Sequence, residues 1–212
     1  MPLVTCFRLG LSKALGIGVI LGSVLVKVPQ VYSIIKSKSG AGLSIPSLAL
    51  ELFCYTSMAA YGHMNKFPFS AYGEAFFLAL QVFIITFLVF KYQKSSSSAF
   101  IFGAIFILFA SVLIMNALPH EVISTLQGFN TPISVISKLL QAYSNFSNKS
   151  TGQLSLVSML LIFLGSLARI FTSLVETGDV LMITNFIFSS SCNALILGQI
   201  LYYGDRPKIK VE

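Results

Sequence analysis

The chain has 212 residues, of which 55% are hydrophobic and 10% are charged, and its mean hydropathy is +0.84. Soluble domains usually carry about 25% charged residues, so this composition excludes a soluble globular protein and indicates one that lies in a membrane. The net charge is +7, and the three cysteines, two of them inside predicted helices, indicate neither a disulfide framework nor a metal site.

Apolar blocks recur seven times along the chain, separated by short polar stretches. Each block is close to the roughly 20 residues that a helix needs to cross about 30 Å of hydrocarbon. The loops between them are too short to hold a soluble domain, so the predicted fold is an all-α membrane protein. In chain order, the predicted transmembrane helices are Leu11–Ile35, Ile45–Gly62, Ala71–Tyr92, Ala99–Ala117, Glu121–Tyr143, Gly152–Leu174 and Val180–Tyr203.

The first predicted helix contains a proline near its end. Pro29 has no N–H, and its ring clashes with the carbonyl oxygen four residues earlier, so we expect a kink and a carbonyl oxygen that needs a new partner. Gln30 can donate to that oxygen or form a hydrogen bond to another helix. Two interpretations stay open, a functional irregularity and a packing hinge without a ligand.

An internal repeat explains where the proline stands. The stretch KVPQVYSIIKSKSGAGLS from Lys27 matches KLLQAYSNFSNKSTGQLS from Lys138, and the matches include polar pairs such as Gln30 with Gln141. Each residue of the first repeat is matched to a residue of the second at the fixed offset along the chain that separates Lys27 from Lys138. We call this offset the repeat displacement. We therefore predict two three-helix repeats, residues 11–92 and 121–203, joined by a linker helix over residues 99–117. This 3+1+3 arrangement gives both repeats the same orientation in the membrane.

The second repeat departs from the first at the proline. Leu140 stands where the first repeat has Pro29. We expect the second kink to be weaker, or to be displaced to Pro132, nine residues before Gln141.

The distribution of charge predicts the orientation. With the N-terminus lumenal and the C-terminus cytosolic, the cytosolic loops hold eight Lys or Arg residues and the opposite face three, as the positive-inside rule requires. Residues 204–212 are then a cytosolic tail, whose ending KIKVE is similar to dilysine signals for retrieval to the endoplasmic reticulum. The sequons at Asn145 and Asn148 fall on the cytosolic side, where we expect no glycosylation.

The repeated motifs resemble a known superfamily. VPQV followed by GAGLS, and in degenerate form LLQA followed by GQLS, are similar to the PQ-loop membrane proteins, which include lysosomal amino-acid exporters and the SWEET sugar transporters. Within that superfamily, ELFCYTSMAAYGHMNKFPFSAYGEAFFLALQ, GSLARIFTSLVETGD and SSSCNALI resemble the mannose-P-dolichol utilization proteins.

This resemblance implies a multi-pass protein of the endoplasmic-reticulum membrane. It implies a requirement for the protein when dolichol-phosphate-mannose and dolichol-phosphate-glucose are used in N-glycan and GPI-anchor synthesis, by flipping the lipid-linked sugar or presenting it to the lumen. The implied partners are these two lipids, membrane lipid and lumenal glycosyltransferases.

Ionisable residues inside the predicted helices need an explanation, because each costs at least about 2.5 to 3.5 kcal/mol on insertion scales. Glu51 is placed to pair with Lys27, and Glu74 with Arg169, as structural ion pairs. The alternative follows from the resemblance: Lys27 and Lys138 bind the phosphate of a dolichol-phosphate sugar. The sugar would then pass between the repeats while Pro29 provides a movable kink.

Two amides nearly coincide when the third helices of the repeats are aligned. Gln81 and Asn193 offer donors and acceptors that suit sugar hydroxyls in an apolar cavity. The alternative is a structural hydrogen bond between helices, worth about 0.6 kcal/mol.

No pattern of catalytic, nucleotide-binding or metal-ligating residues is present, so we predict neither an enzyme nor a cofactor, metal or nucleic-acid partner. Two other functions remain open. One is transport of a small solute in the manner of SWEET proteins or amino-acid exporters, and the other is a non-transporting scaffold for glycosyltransferases.

Overall fold

A computed structural model describes residues 2–40, 43–115, 117–151 and 156–203. All the regular structure in these residues is helical. The helices are α1 (Pro2–Leu25), α2 (Val28–Ser37), α3 (Ile45–Met64), α4 (Phe69–Gln93), α5 (Ser96–Ile114), α6 (His120–Gly128), α7 (Asn130–Ser147), α8 (Leu156–Glu176) and α9 (Val180–Tyr203). The predicted cytosolic tail and the beginning of the sixth predicted helix lie outside the described residues.

Five segments of the described chain are long and apolar enough to cross a membrane: Thr5–Ser37, Phe69–Gln93, Ser96–Ile114, Met159–Glu176 and Val180–Tyr203. This confirms the prediction of a multi-pass membrane protein. The sequence predicts seven crossings. The two predicted crossings that are not among these long, apolar segments are α3 and the α6–α7 pair. Both carry polar and charged residues inside the helix, Glu51 in α3 and Lys138 in α7.

The first predicted helix is two helices in the structure, because the chain leaves helical geometry at Val26 and Lys27. The break comes just before Pro29, as expected from its missing N–H. Pro29 itself stands in the first turn of α2, where a helix tolerates proline best.

The fifth predicted helix is also interrupted. The break between α6 and α7 falls at Phe129, three residues before Pro132, whose absent N–H would have bonded the carbonyl oxygen of Gly128. Leu140 and Gln141 lie inside the continuous helix α7. The second kink is therefore at Pro132, one of the two alternatives that the sequence allowed.

The chain folds as two compact units, Met1–Gln127 and Gly128–Glu212. In the first unit, α4 packs against α1, α2, α3 and α5. Its core is formed by six buried aliphatic residues of α2, α3 and α4, which are Ile34, Leu48, Leu52, Val82, Ile85 and Val89. In the second unit, α9 packs against both α7 and α8, around Ala142, Met159, Ile196 and Ile200.

The backbone repeats at the same displacement as the sequence. Lys38, at the end of α2, has φ 48°, and Lys149, just after α7, has φ 47°. Both lysines are therefore in the left-handed region that usually ends a helix at glycine. The repeat displacement carries Lys38 onto Lys149. The same local conformation at these equivalent positions supports a common origin for the two PQ-type segments.

Candidate ligand site on the second repeat

The break between α1 and α2 is closed by a side chain from α4. The backbone N–H of Lys27 donates to Oε1 of Gln81 at 3.0 Å, and Nε2 of Gln81 donates to the carbonyl oxygen of Ser23 at 2.8 Å. In a continuous helix, Lys27 N–H would bond Ser23 directly. The amide of Gln81, which is only 7% exposed, thus bridges the N–H of Lys27 and the carbonyl oxygen of Ser23. The carbonyl oxygen that Pro29 leaves without its usual donor is that of Leu25, four residues earlier, so a hydrogen bond from Gln30 to it stays a prediction.

The variant Gln81→Leu should open the break between α1 and α2. It leaves the N–H of Lys27 and the carbonyl oxygen of Ser23 without this amide, at a cost of about 2 kcal/mol. Hydrogen exchange of the Lys27 amide should therefore accelerate by about 30-fold. The variant Gln199→Leu, in the second unit, is the control. Unchanged exchange at Lys27 in Gln81→Leu would contradict this role.

Lys27 is neutralised within its own unit. Its Nζ lies 2.6 Å from Oε1 of Glu51 in α3, with the two side chains 18% and 33% exposed. The predicted pair between Lys27 and Glu51 is confirmed. The ammonium that the sequence offered as a phosphate ligand therefore already has an anionic partner.

Lys138, the equivalent lysine of the second repeat, has neutral partners. Its Nζ donates to Oγ of Ser189 at 2.6 Å and to the carbonyl oxygen of the same residue at 3.3 Å. Within the described part of the chain, no carboxylate is paired with it. The repeat displacement carries Glu51 onto Ile162. The aligned repeats therefore already indicate that the second repeat has an apolar residue where the first has the carboxylate partner of its lysine.

A line of polar contacts passes through Lys138 along the α7–α9 packing. Thr131 donates to Asn185 at 3.2 Å, and Asn145 donates to Gln199 at 3.0 Å. On α7 these donors and Lys138 are seven residues apart, so all three lie on one face of the helix. We call this line the polar ladder: Thr131, Lys138 and Asn145 on α7, with Asn185, Ser189 and Gln199 on α9.

The polar ladder is specific to the second repeat. At the equivalent positions of the first repeat, Ile20 and Ile34 replace Thr131 and Asn145, and both isoleucines are buried. Leu78 and Leu88 likewise replace Ser189 and Gln199. The other two equivalents, of Lys138 and Asn185, are the charged residues Lys27 and Glu74. Four of the six positions of the polar ladder are thus apolar in the first repeat, a difference that the sequence analysis missed although the aligned repeats contain the signal.

The predicted sugar-binding amides are buried and engaged within their own units. Asn193 is 2% exposed, and its Nδ2 donates to Oγ of Ser166 in α8 at 3.3 Å. Gln81 is engaged at the α1–α2 break, as described above. Both contacts are of the structural kind that the sequence left open beside sugar binding.

The remaining intramembrane charges are divided between the units. Glu74 lies in α4 of the first unit, and Arg169 lies in α8 of the second, where it is 3% exposed. Their mutual pairing stays a prediction. Among the described residues, no three His, Cys, Asp or Glu side chains are grouped so that they could hold a metal ion.

Comparison with known proteins identifies the repeats. The chain matches the PQ loop repeat family twice, over residues 11–71 and 122–182. These two matches cover more than half of the chain, and they are offset from one another by the same displacement that carries Lys27 onto Lys138. The chain belongs to the PQ-loop repeat family.

A curated relative of this PQ-loop protein is similar over most of its length. "Solute carrier family 66 member 3" of Homo sapiens is 27% identical over 187 residues, an alignment that covers 88% of this chain and 91% of the relative.

The proline and glutamine of the PQ motif lie at the edge of the first unit's core. Pro29 is exposed and Gln30 is partly exposed at the start of α2. Gln141, the equivalent in the second repeat, is exposed in the middle of α7. The residues beside the motif, Lys27 and Lys138, make the closest polar contacts in this region of each repeat.

Proposed function

We propose that this PQ-loop protein handles dolichol-phosphate-linked mannose and glucose in the membrane of the endoplasmic reticulum, for N-glycan and GPI-anchor synthesis, and that Lys138 binds the phosphate. The protein is not an enzyme in this proposal. It flips the lipid-linked sugar or presents it to lumenal glycosyltransferases. The sequence segments that resemble the mannose-P-dolichol utilization proteins support the choice of lipid.

The observation that carries the proposal is the environment of Lys138. The lysine lies near the middle of α7, bonded to a serine near the middle of α9. In the crossing that we propose for α6 and α7, an uncompensated charge is costly, and intramembrane ionisable residues usually have a function. A lysine ammonium binds phosphate as a point charge, and a low dielectric strengthens that attraction. The hydroxyl of Ser189 can donate to the same phosphate while it accepts from Lys138.

The rest of the polar ladder suits the sugar. Hydroxyl and amide groups flank Lys138 on both sides, from Thr131 with Asn185 to Asn145 with Gln199. Such groups exchange hydrogen bonds readily with sugar hydroxyls. On the same helix, exposed apolar side chains contact lipid in our proposal, where the polyprenyl chain stays. These side chains are Leu139, Leu140 and Tyr143.

The membrane arrangement is part of the proposal. We propose seven crossings in the 3+1+3 order, with α6 and α7 together forming one and α3 another, the N-terminus in the lumen and the C-terminus in the cytosol. The excess of lysines on the loops assigned to the cytosol supports this orientation.

A second candidate is transport of a small solute. The name of the relative, a solute carrier, favours it. In that case the polar ladder would bind a free anionic or hydroxylated solute with the same groups. The two candidates differ in the ligand that reaches Lys138, a lipid or a water-soluble molecule.

The deciding experiment measures binding and transbilayer movement of dolichol-phosphate-mannose with purified protein in lipid nanodiscs and liposomes. The variant Lys138→Gln should bind about 10- to 100-fold more weakly, because a hydrogen bond to a charged group contributes about 1.5 to 3 kcal/mol. Lys149→Gln is the matched control, since Lys149 is an exposed lysine just after the same helix, and it should bind normally.

Three outcomes separate the candidates. Binding that depends on Lys138 supports the proposal. Counterflow of free sugar or amino acid without binding of the lipid supports solute transport instead. Neither activity, with the fold intact, overturns both and leaves the scaffold.

A further inference from the structure

The first unit gathers four lysines at one of its ends. Lys36 and Lys38 lie at the end of α2, and Lys91 and Lys94 lie at the end of α4. All four side chains are exposed. We call this group the basic rim. It is separate from Lys138 and the polar ladder, which belong to the second unit.

A side chain of α4 holds the two parts of the basic rim together. Nε2 of Gln93, between Lys91 and Lys94, donates to the carbonyl oxygens of Gly40 and of Leu43, the latter at 2.9 Å. These carbonyls belong to the segment that follows α2 and leads into α3. The lysines of two helices are thus fixed at the same end of the unit by a hydrogen-bonded clamp.

The chain segments that form the basic rim contain no acidic residue to balance it. The sequence has no Asp or Glu over residues 28–50 or over residues 75–98, which include both helix ends. The nearest acid along the chain, Glu51, is paired with Lys27. The positive charges of these two segments are therefore not compensated from within them.

Two of the lysines lie over tyrosine rings. Nζ of Lys36 is 5.9 Å from the centroid of Tyr32, and Nζ of Lys91 is 5.7 Å from the centroid of Tyr92. Tyrosine is enriched where a helix passes through the headgroup region, and lysines near helix ends extend their ammonium groups to the same level. Both features of the rim are thus typical of helix ends in the headgroup region of a membrane.

Lys38 has an unusual backbone conformation for a residue other than glycine. Its φ of 48° is in the region where a helix usually ends with glycine. A lysine there is strained. Its exposed ammonium group belongs to the C-terminal end of α2, where the helix dipole favours positive charge.

We propose that the basic rim binds the headgroups of anionic phospholipids, such as phosphatidylserine, in the leaflet at this end of the first unit. The phosphate and carboxylate oxygens of the headgroup complement the four ammonium groups, and juxtamembrane lysine clusters attract such lipids. The binding anchors the clamped α2–α3 segment and the end of α4 to one leaflet.

The test is retention of lipid by the purified full chain. Protein from nanodiscs that contain phosphatidylcholine and phosphatidylserine is delipidated stepwise, and retained lipids are counted by native mass spectrometry. Wild-type protein should retain phosphatidylserine over phosphatidylcholine. The ratio of retained phosphatidylserine to phosphatidylcholine should fall at least tenfold when all four lysines are changed to glutamine, as Lys36→Gln, Lys38→Gln, Lys91→Gln and Lys94→Gln. The corresponding four Lys→Arg changes should preserve the ratio.

A single-residue comparison provides the matched control. Lys66 is exposed, has φ 53°, and lies in the turn at the opposite end of α3. Lys38→Gln should reduce the preference for phosphatidylserine, and Lys66→Gln should not. Equal retention of the two lipids by the wild type, or equal effects of these two variants, would overturn the proposal. Displacement of phosphatidylserine by millimolar inorganic phosphate would reassign the rim to a soluble anion and overturn it as well.

Discussion

Replacing Ile162 with glutamate should abolish binding of dolichol-phosphate-mannose. Ile162 occupies the position in α8 that Glu51 occupies in α3, and the carboxylate of Glu51 lies 2.6 Å from Lys27. By the equivalence of the repeats, a carboxylate at Ile162 would pair with Lys138. The phosphate would then lose its cation and meet a like charge, which costs several kcal/mol. We expect a loss of affinity of about 100-fold or more.

The neutral change Ile162→Gln is the control for this experiment. It has the shape of the glutamate without its charge, so binding should stay within a few-fold of the wild type. If Ile162→Glu binds the lipid as well as Ile162→Gln does, Lys138 does not hold the phosphate. Thermal unfolding of both variants should be measured alongside, so that loss of binding is not mistaken for loss of the fold.

The second large effect is a loss of stability when the ion pair of the first repeat is broken. The variant Glu51→Gln should destabilise the protein by about 3 kcal/mol, because it leaves the ammonium of Lys27 as an unpaired charge between helices. This value is at the low end for breaking a buried pair, since both side chains are partly exposed. The free energy of unfolding in detergent is the quantity to measure.

A double variant separates the net contribution of the ion pair to the free energy of unfolding from the cost of leaving one charge without its partner. Changing both partners, Lys27→Met with Glu51→Leu, should recover most of the stability, because apolar side chains replace ion pairs well in an apolar setting. The change Glu121→Gln, at an exposed carboxylate at the start of α6, should have little effect. If Glu51→Gln proves no less stable than Glu121→Gln, the pair does not contribute in the way we describe.

The two predictions together describe a duplicated protein whose halves have diverged. The first repeat neutralises its lysine and has apolar residues at four of the six positions where the second repeat has the polar ladder. We propose that the first repeat serves mainly as a framework, closed at its proline break by Gln81, and that the second repeat receives the ligand. A symmetric mechanism with two equal lysines is a poorer fit to the contacts of Lys27.

The sequence by itself determined the membrane class, the duplication and the break in the first predicted helix near Pro29, and it left the place of the second kink open. Composition is a bulk property, the displacement between the repeats can be read directly from the matched motifs, and proline acts on the backbone of its own helix. The pair of Lys27 and Glu51 was also predictable, because the positions of both residues along their helices place them at a similar depth.

Apart from the pair of Lys27 and Glu51, only the tertiary structure decided which side chains meet across helices. Gln81 is 54 residues from Lys27, and its amide reaches the break because α4 packs against α1. The polar ladder and the clamp at Gln93 arise in the same way. A hydrogen bond requires a short distance and a narrow angle, so its partners depend on the rotation of each packed helix about its axis, which hydrophobic patterning in a membrane constrains only weakly.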